Sequence, residues 1–171
     1  RGSNSMPTDT KNSTAKASRS GSVSSAARWL NCDSRSTMPA KNAPSANETP
    51  NSVAASGTGI YFTGFNTNSI WRYDTVSGAF TEFAVPTAGA IPYDITAAPD
   101  GTLWFTEFGA DAIGHLDPAT GVITETSVGD GPNGPRGITI STDAKVWFTK
   151  RFDNTVGFLD PVTGGVTEFA L

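Results

Sequence analysis

From residue 50 onward the chain is written in short runs of β-branched and aromatic residues broken by Gly, Pro and Asp. Asp94-Ile95-Thr96-Ala97, Thr102-Leu103-Trp104-Phe105-Thr106, Ala112-Ile113-Gly114-His115-Leu116 and Val122-Ile123-Thr124-Glu125-Thr126 are four such runs, and each predicts a strand. Pro99-Asp100-Gly101 reads as the first turn between them, and Asp117-Pro118-Ala119-Thr120-Gly121 as the third. The third has a mechanism: an Asp carboxylate accepts from the amides that follow it, proline presets its own φ, and glycine takes the left-handed position that closes the hairpin.

The same pattern is written three times. Tyr61-Phe62-Thr63 returns as Trp104-Phe105-Thr106 and Trp147-Phe148-Thr149 at a step of 43 residues. Ile70, Ile113 and Val156 keep that step, as do Asp74, Asp117 and Asp160, Gly78, Gly121 and Gly164, and the Thr-Glu pairs at 81, 124 and 167. Four antiparallel strands per period of this length, with an aromatic fixed at one place, predict all-β architecture made of β-propeller blades. Three four-stranded blades are expected, at about 50–83, 92–126 and 135–169, with each first strand toward the central channel. Propellers close with four to eight blades, so three form an incomplete ring whose end faces are left open. A two-sheet sandwich from the same strands is the alternative fold.

Composition divides the 171 residues in two. Residues 1–49 hold 28 Ser, Thr, Ala or Asn, with Trp29 the sole aromatic and Leu30 the sole leucine. Such a segment buries too little apolar surface to offset the entropy of ordering, and it is expected to be a disordered tail ahead of a 50–171 propeller sector. Arg1-Gly2-Ser3 ahead of Met6 has the form of an expression scar or upstream translation. The spacing of Arg19, Arg28 and Arg35 has the flavour of a transit peptide, and Asn12 and Asn47 fit the glycosylation pattern. No secretory hydrophobic core is visible and no apolar run reaches membrane-helix length, so a soluble protein is expected, with its compartment unassigned. The tail carries seven Lys/Arg against three Asp/Glu and the remainder five against thirteen. An acidic body gives no electrostatic drive toward nucleic acid or anionic membrane.

Candidate chemistry is sparse. One cysteine, Cys32, excludes an internal disulfide, and one histidine, His115, excludes a multi-histidine metal site. His115 occupies a place that is Arg72 and Phe158 in the other repeats, which marks it as scaffold. Gly129-Asp130-Gly131-Pro132-Asn133-Gly134 has dinucleotide-fingerprint spacing, yet prolines interrupt it and a strand follows, so it reads as a loop between blades. The repeats disagree at two places near the channel. Asn51, Tyr93 and Arg136 follow the proline that opens the first strand, and Gly64, Glu107 and Lys150 follow the aromatic-Phe-Thr triplet. Packing repeats and ligands do not, so Tyr93, Arg136, Lys150, Asn51 and Glu107 are the candidates for a polar channel mouth, with a plain solvated rim as the alternative.

Pro92-Tyr93-Asp94-Ile95-Thr96, Trp104-Phe105-Thr106-Glu107 and Ala112-Ile113-Gly114-His115-Leu116-Asp117-Pro118 resemble the repeat of the virginiamycin B lyase (streptogramin lyase) family. Gly134-Pro135-Arg136-Gly137-Ile138-Thr139 and Val156-Gly157-Phe158-Leu159-Asp160-Pro161 resemble a second copy, and the resemblance covers residues 50–171. It implies a seven-bladed propeller that opens cyclic depsipeptides by C–O elimination, with a histidine base and a glutamate-held Mg2+. On this resemblance Glu107 matches a metal glutamate. The histidine position of the Glu-Pro-His pattern is taken by Asn51, Tyr93 or Arg136, and its glutamate position by Thr49, Ile91 or Gly134. Lys150 stands where a second metal glutamate would. A sector with these residues is expected to be inactive alone. Two other classes stay open: a non-catalytic module that binds a small molecule or cyclic peptide at the channel or self-associates through open blade edges, and a metal-dependent sugar-lactone hydrolase-like propeller using Asn51, Asp94 and Glu107.

Overall fold

The computed structural model describes residues 42–45, 47–129, 131 and 134–171. The expectations for residues 1–41, including both possible leader signals, Asn12 and Cys32, lie outside the described residues. Within residues 42–49, the Glu48 carboxylate accepts from the backbone N–H groups of Thr49 and Asn66, and the Asn66 side-chain amide donates to the Asn47 carbonyl.

Twelve strands follow among the described residues, in three four-stranded antiparallel sheets. The first sheet is β1 (Pro50–Ser56), β2 (Gly59–Gly64), β3 (Ser69–Asp74) and β4 (Phe80–Ala84). The second is β5 (Pro92–Ala97), β6 (Leu103–Glu107), β7 (Ala112–Asp117) and β8 (Val122–Ser127). The third is β9 (Ile138–Ile140), β10 (Val146–Lys150), β11 (Thr155–Leu159) and β12 (Val166–Ala170). In each sheet the strands lie in chain order, as an up-and-down meander. The 43-residue pattern is thus a repeat of whole blades, and the three sheets do not close a ring.

The hairpin turns behave as their residues require. Gly78, Gly121 and Gly164 have φ of 71°, 75° and 70°, and each donates its N–H to the carbonyl of the Asp four residues earlier at 2.8 Å. Asp74 Oδ1 accepts from the Val76 and Ser77 amides, Asp117 Oδ1 from Ala119, and Asp160 Oδ1 from Val162 and Thr163. These bonds favour the ionised carboxylate, so Asp74 and Asp117 are held below the usual carboxylate range, led in both cases by the backbone bond. A second left-handed position also repeats at 43 residues: Asn68, Asp111 and Asn154, with φ of 56°, 50° and 52°. Asn and Asp tolerate that region better than other residues with a Cβ.

Side chains alternate across each strand, so every sheet has two faces to cover. Leu103, Phe105 and Leu116 of the second sheet pack against Tyr61, Ile70 and Phe83 of the first, with Val85 and Ala90 from the connection. The opposite face presents Ile113 and Trp104 to Val146, Phe148 and Leu159 of the third. Each interior is a sheet-on-sheet contact between successive blades. The outer faces of the end sheets carry the same kinds of residue, and no further sheet lies on them among the described residues: Phe62 and Phe80 pack edge to face beside Val53, which is 64% exposed, in a hollow flanked by Pro44, Ser45 and Glu48, while Trp147, Phe158 and Phe169 cluster at the other end.

Within the second sheet the Phe105 ring lies across its cross-strand partner Gly114 and leaves no room there. A Cβ there would meet Phe105 Cζ at 2.1 Å and Glu107 Oε1 at 2.6 Å. Gly114→Ala is expected to cost roughly 1–3 kcal/mol through overpacking, read as a lowered midpoint in urea denaturation. An unchanged midpoint would show that the Phe105 ring does not lie this close over Gly114.

Candidate functional site

The five positions singled out in the sequence split into two groups. Glu107 and Lys150 end the second strands of their sheets, on the face turned toward the preceding blade. Glu107 has no exposed surface and Lys150 is 3% exposed, so neither forms the solvated mouth expected for it. Asn51 and Tyr93 open the first strands of their sheets and Arg136 lies just ahead of β9; all three reach solvent, Asn51 as an exposed residue and the other two in part.

A threonine in each blade sets the position of those first-strand residues. The first strand carries a bulge between Pro50 and Val53, and again between Pro92 and Ile95, which interrupts the ladder. The triplet threonine supplies the missing partner: Thr63 Oγ1 accepts from Ser52 N–H at 3.1 Å, Thr106 Oγ1 from Asp94 at 2.9 Å, and Thr149 Oγ1 from Gly137 at 3.2 Å. Thr63 and Thr106 then donate to the next blade, to the carbonyls of Tyr93 at 3.2 Å and Arg136 at 3.0 Å. The Asn51 amide also donates to the Tyr93 carbonyl, at 2.8 Å. Asp94 joins three blades, accepting from the Ser52 hydroxyl and from the Ile138 N–H.

Arg136, fixed this way, lies among aromatic rings. Its guanidinium carbon is 4.8 Å from the Phe108 centroid, 5.1 Å from Tyr93 and 5.3 Å from Phe152. Phe108 in turn touches both Tyr93 and Phe152, with centroids 6.2 and 6.4 Å apart. Phe108 and Phe152 were not visible as site residues in the sequence. They are 44 residues apart and so fall outside the repeat register.

At the inner position the repeats have become chemically opposite. Lys150 Nζ lies 3.1 Å from Asp111 Oδ1, 3.3 Å from Glu168 and 3.6 Å from Asp153, and donates to the Val128 carbonyl at 2.8 Å. Burial alone would lower its pKa; the bonds and charges of Asp111 and then Glu168 outweigh that and hold it above the usual lysine value. Glu107, one blade earlier, pairs with no cation among the described residues. Both its carboxylate oxygens are buried without a hydrogen-bond partner, and it faces Glu125, the counterpart of Glu168. Burial, followed by the Glu125 charge, pushes the Glu107 carboxyl up to about 8, so it is largely protonated at neutral pH.

A resident Mg2+ does not fit these residues. Mg2+ takes six oxygens in near-octahedral array and keeps several waters. Glu107 is sealed from solvent, Glu125 is already committed to the Thr87 N–H and hydroxyl, and a proton satisfies the carboxyl instead. No group of three or more His, Cys, Asp or Glu placed to hold a metal occurs among the described residues. Asn51 and Asp94 are spent on the inter-blade bonds above, so they do not converge on one ion with Glu107.

His115 stacks on Trp104, with ring centroids 4.2 Å apart, and burial lowers its pKa against the opposing pull of Asp100 and Asp117. It packs on a third strand, away from the first-strand openings. Gly129, Gly131 and Gly134 lie in the connection from β8 to β9, with Gly134 so close to the Phe108 carbonyl that a Cβ would sit 2.0 Å from it. This glycine serves blade packing. No helix of the described residues is long and apolar enough to cross a membrane.

The profile of the Virginiamycin B lyase family matches residues 28–171, which takes in all three blades. The chain belongs to that family. No curated protein sequence matches it significantly. Among solved structures it is similar to virginiamycin B lyase from Staphylococcus aureus, at 33% identity and a TM-score of 0.69 over 77% of this chain and 44% of that one. A catalytically inactive histidine-to-alanine variant of that lyase with quinupristin gives 34% identity and a TM-score of 0.68, covering 75% and 43%. A streptogramin B lyase structure gives 29% and 0.69, covering 77% and 43%. The chain therefore spans less than half the length of these relatives.

Two outcomes follow from the inner position. The folded chain keeps the Glu107 proton between pH 4.5 and about 8, where the unfolded chain releases it, so Glu107 lowers stability as pH rises through that window. Glu107→Gln should leave the melting temperature near pH 4 unchanged and raise it at pH 9; parallel shifts at both would contradict the assignment. Lys150→Ala strands the buried Asp111 carboxylate and is expected to cost about 3–5 kcal/mol in denaturant unfolding, whereas a cost below about 1 kcal/mol would mean the pair is solvated.

Proposed function

We propose that this chain is a ligand-binding sector of a virginiamycin B lyase-type propeller, directed at cyclic depsipeptide-class ligands, and that it does not perform the C–O elimination alone. The observation that carries the reading is Arg136 at the place where the family pattern has its histidine. Elimination needs a group that takes a proton from the carbon next to the ester carbonyl. A guanidinium carries N–H donors and no acceptor, a phenol hydroxyl is a poor base, and the Asn51 amide is not a base. The single histidine, His115, is stacked on Trp104 instead. These residues can bind and orient a ligand, but none can accept the proton.

The aromatic outer faces of the first and third sheets, on which no further sheet packs among the described residues, support the second half of the proposal. They carry the residue types that the internal blade contacts bury, so further blades are the natural cover, and a base would come from them. Magnesium, where it takes part, would polarise the ester carbonyl and acidify the adjoining C–H. Its ligands would have to come from those blades as well, since Glu107 is sealed and protonated.

The test is incubation of the 171-residue chain with quinupristin, with and without excess Mg2+. Ring opening by elimination leaves the mass unchanged, so the readout is chromatographic retention and fragment ions. Unchanged quinupristin in both conditions, with saturable binding by calorimetry, is the expected result. Magnesium-dependent ring opening would overturn the division of labour, and absence of binding would overturn the ligand class.

A further inference from the structure

Arg136 is a charged group that the fold holds in place with no carboxylate paired to it among the described residues. Its backbone is pinned on both sides, with Arg136 N–H donating to the Thr149 carbonyl at 2.8 Å and the Arg136 carbonyl accepting from Thr106. Its side chain lies within 5.3 Å of three ring centroids. No carboxylate of the described residues lies within ion-pair distance of it, and its Nε is buried without a hydrogen-bond partner. The contrast with Lys150, which gathers three carboxylates, shows that the chain does neutralise a buried cation where the cation is structural.

Ring faces attract a guanidinium but supply no in-plane acceptor for its N–H groups. What is missing is a planar, two-oxygen anion, which an arginine fork matches in bidentate fashion. Phe152 is 57% exposed beside it and offers an apolar surface to whatever carries that anion.

We propose that Arg136, with Phe108, Phe152 and Tyr93, forms a binding site for the carboxylate of a ligand that also bears an aromatic or apolar group. Arg136 engages the carboxylate, the rings hold the guanidinium in orientation, and Phe152 covers the apolar part. This goes beyond the reading above, whose cyclic ligands carry an ester in place of the free carboxylate, and rests on it only for placing the ligand at the first-strand openings.

The experiment compares N-acetylphenylalanine with N-acetylphenylalaninamide on the full chain by calorimetry. The two differ only in the charged carboxylate. The acid should bind at least tenfold more tightly than the amide, and Arg136→Gln should bring the acid down to the level of the amide. Phe152→Ala, at an exposed position, should weaken both several-fold and keep the ratio between them. Equal affinities in the wild-type chain, no saturable binding of the acid, or unchanged acid binding in a folded Arg136→Gln variant would each overturn the proposal. The acid-to-amide ratio needs no variant, so a variant that fails to fold does not remove the test. Quinupristin binding without acid selectivity would sink this site alone, whereas acid selectivity without quinupristin binding would sink the ligand class proposed above and leave this site standing.

Discussion

The fold depends on how a buried hydroxyl closes a gap in each of the first two sheets and reaches into the next. A bulge at the start of β1 and β5 leaves an N–H without its ladder partner, and unpaired buried backbone groups cost about as much as a lost hydrogen bond. Thr63 and Thr106 accept that proton and give their own to a carbonyl one blade away. A threonine is suited to this because it donates and accepts through a single atom while its methyl packs in the strand. The apolar contact between sheets supplies most of the driving force, but the hydroxyl bridge fixes how successive first strands are offset. It thereby decides where Tyr93 and Arg136 stand.

Around that constant bridge the blades diverge, and the divergence is where function is to be sought. The residue after the threonine is glycine, a protonated acid or an ion-paired lysine, and each needs a different answer from its neighbours. Asp111 serves Lys150, while Asn68, its counterpart one blade earlier, directs its amide to the carbonyls of Val85 and Thr87 and accepts from Ile91 N–H. The inner position has been absorbed into blade packing. On the function proposed, ligand-facing chemistry falls to the first-strand openings, where a guanidinium and a phenol stand at the position that the family pattern gives to histidine.

The architecture was legible because packing recurs and writes itself into the spacing. Trp104-Phe105-Thr106 and Asp117 to Gly121 name, by residue type alone, the buried strand and the hairpin that closes it. The direction in which a side chain points was less legible. Glu107 and Lys150 break the repeat just as Tyr93 and Arg136 do, and only the alternation of strand faces, counted from the buried Phe105 and Phe148, turns the first pair inward. That count was available in the sequence. The aromatic enclosure of Arg136 was not, because Phe152 comes from a turn one residue out of step with Phe108 and the contact forms between blades. The left-handed series Asn68, Asp111 and Asn154 was present at the 43-residue step, in the residue types that tolerate positive φ.

The bridge is tested most directly by comparing Thr106→Val with Thr149→Val in the 171-residue chain. Valine keeps the shape and removes the hydroxyl. Thr106 is fully buried and makes both bonds, whereas Thr149 is exposed and makes only the bond from Gly137 among the described residues. Unfolding in urea should show Thr106→Val costing roughly 1–3 kcal/mol, with Thr149→Val well below it. Equal losses, or a neutral Thr106→Val, would contradict the claim that the hydroxyl bridge holds successive blades in register.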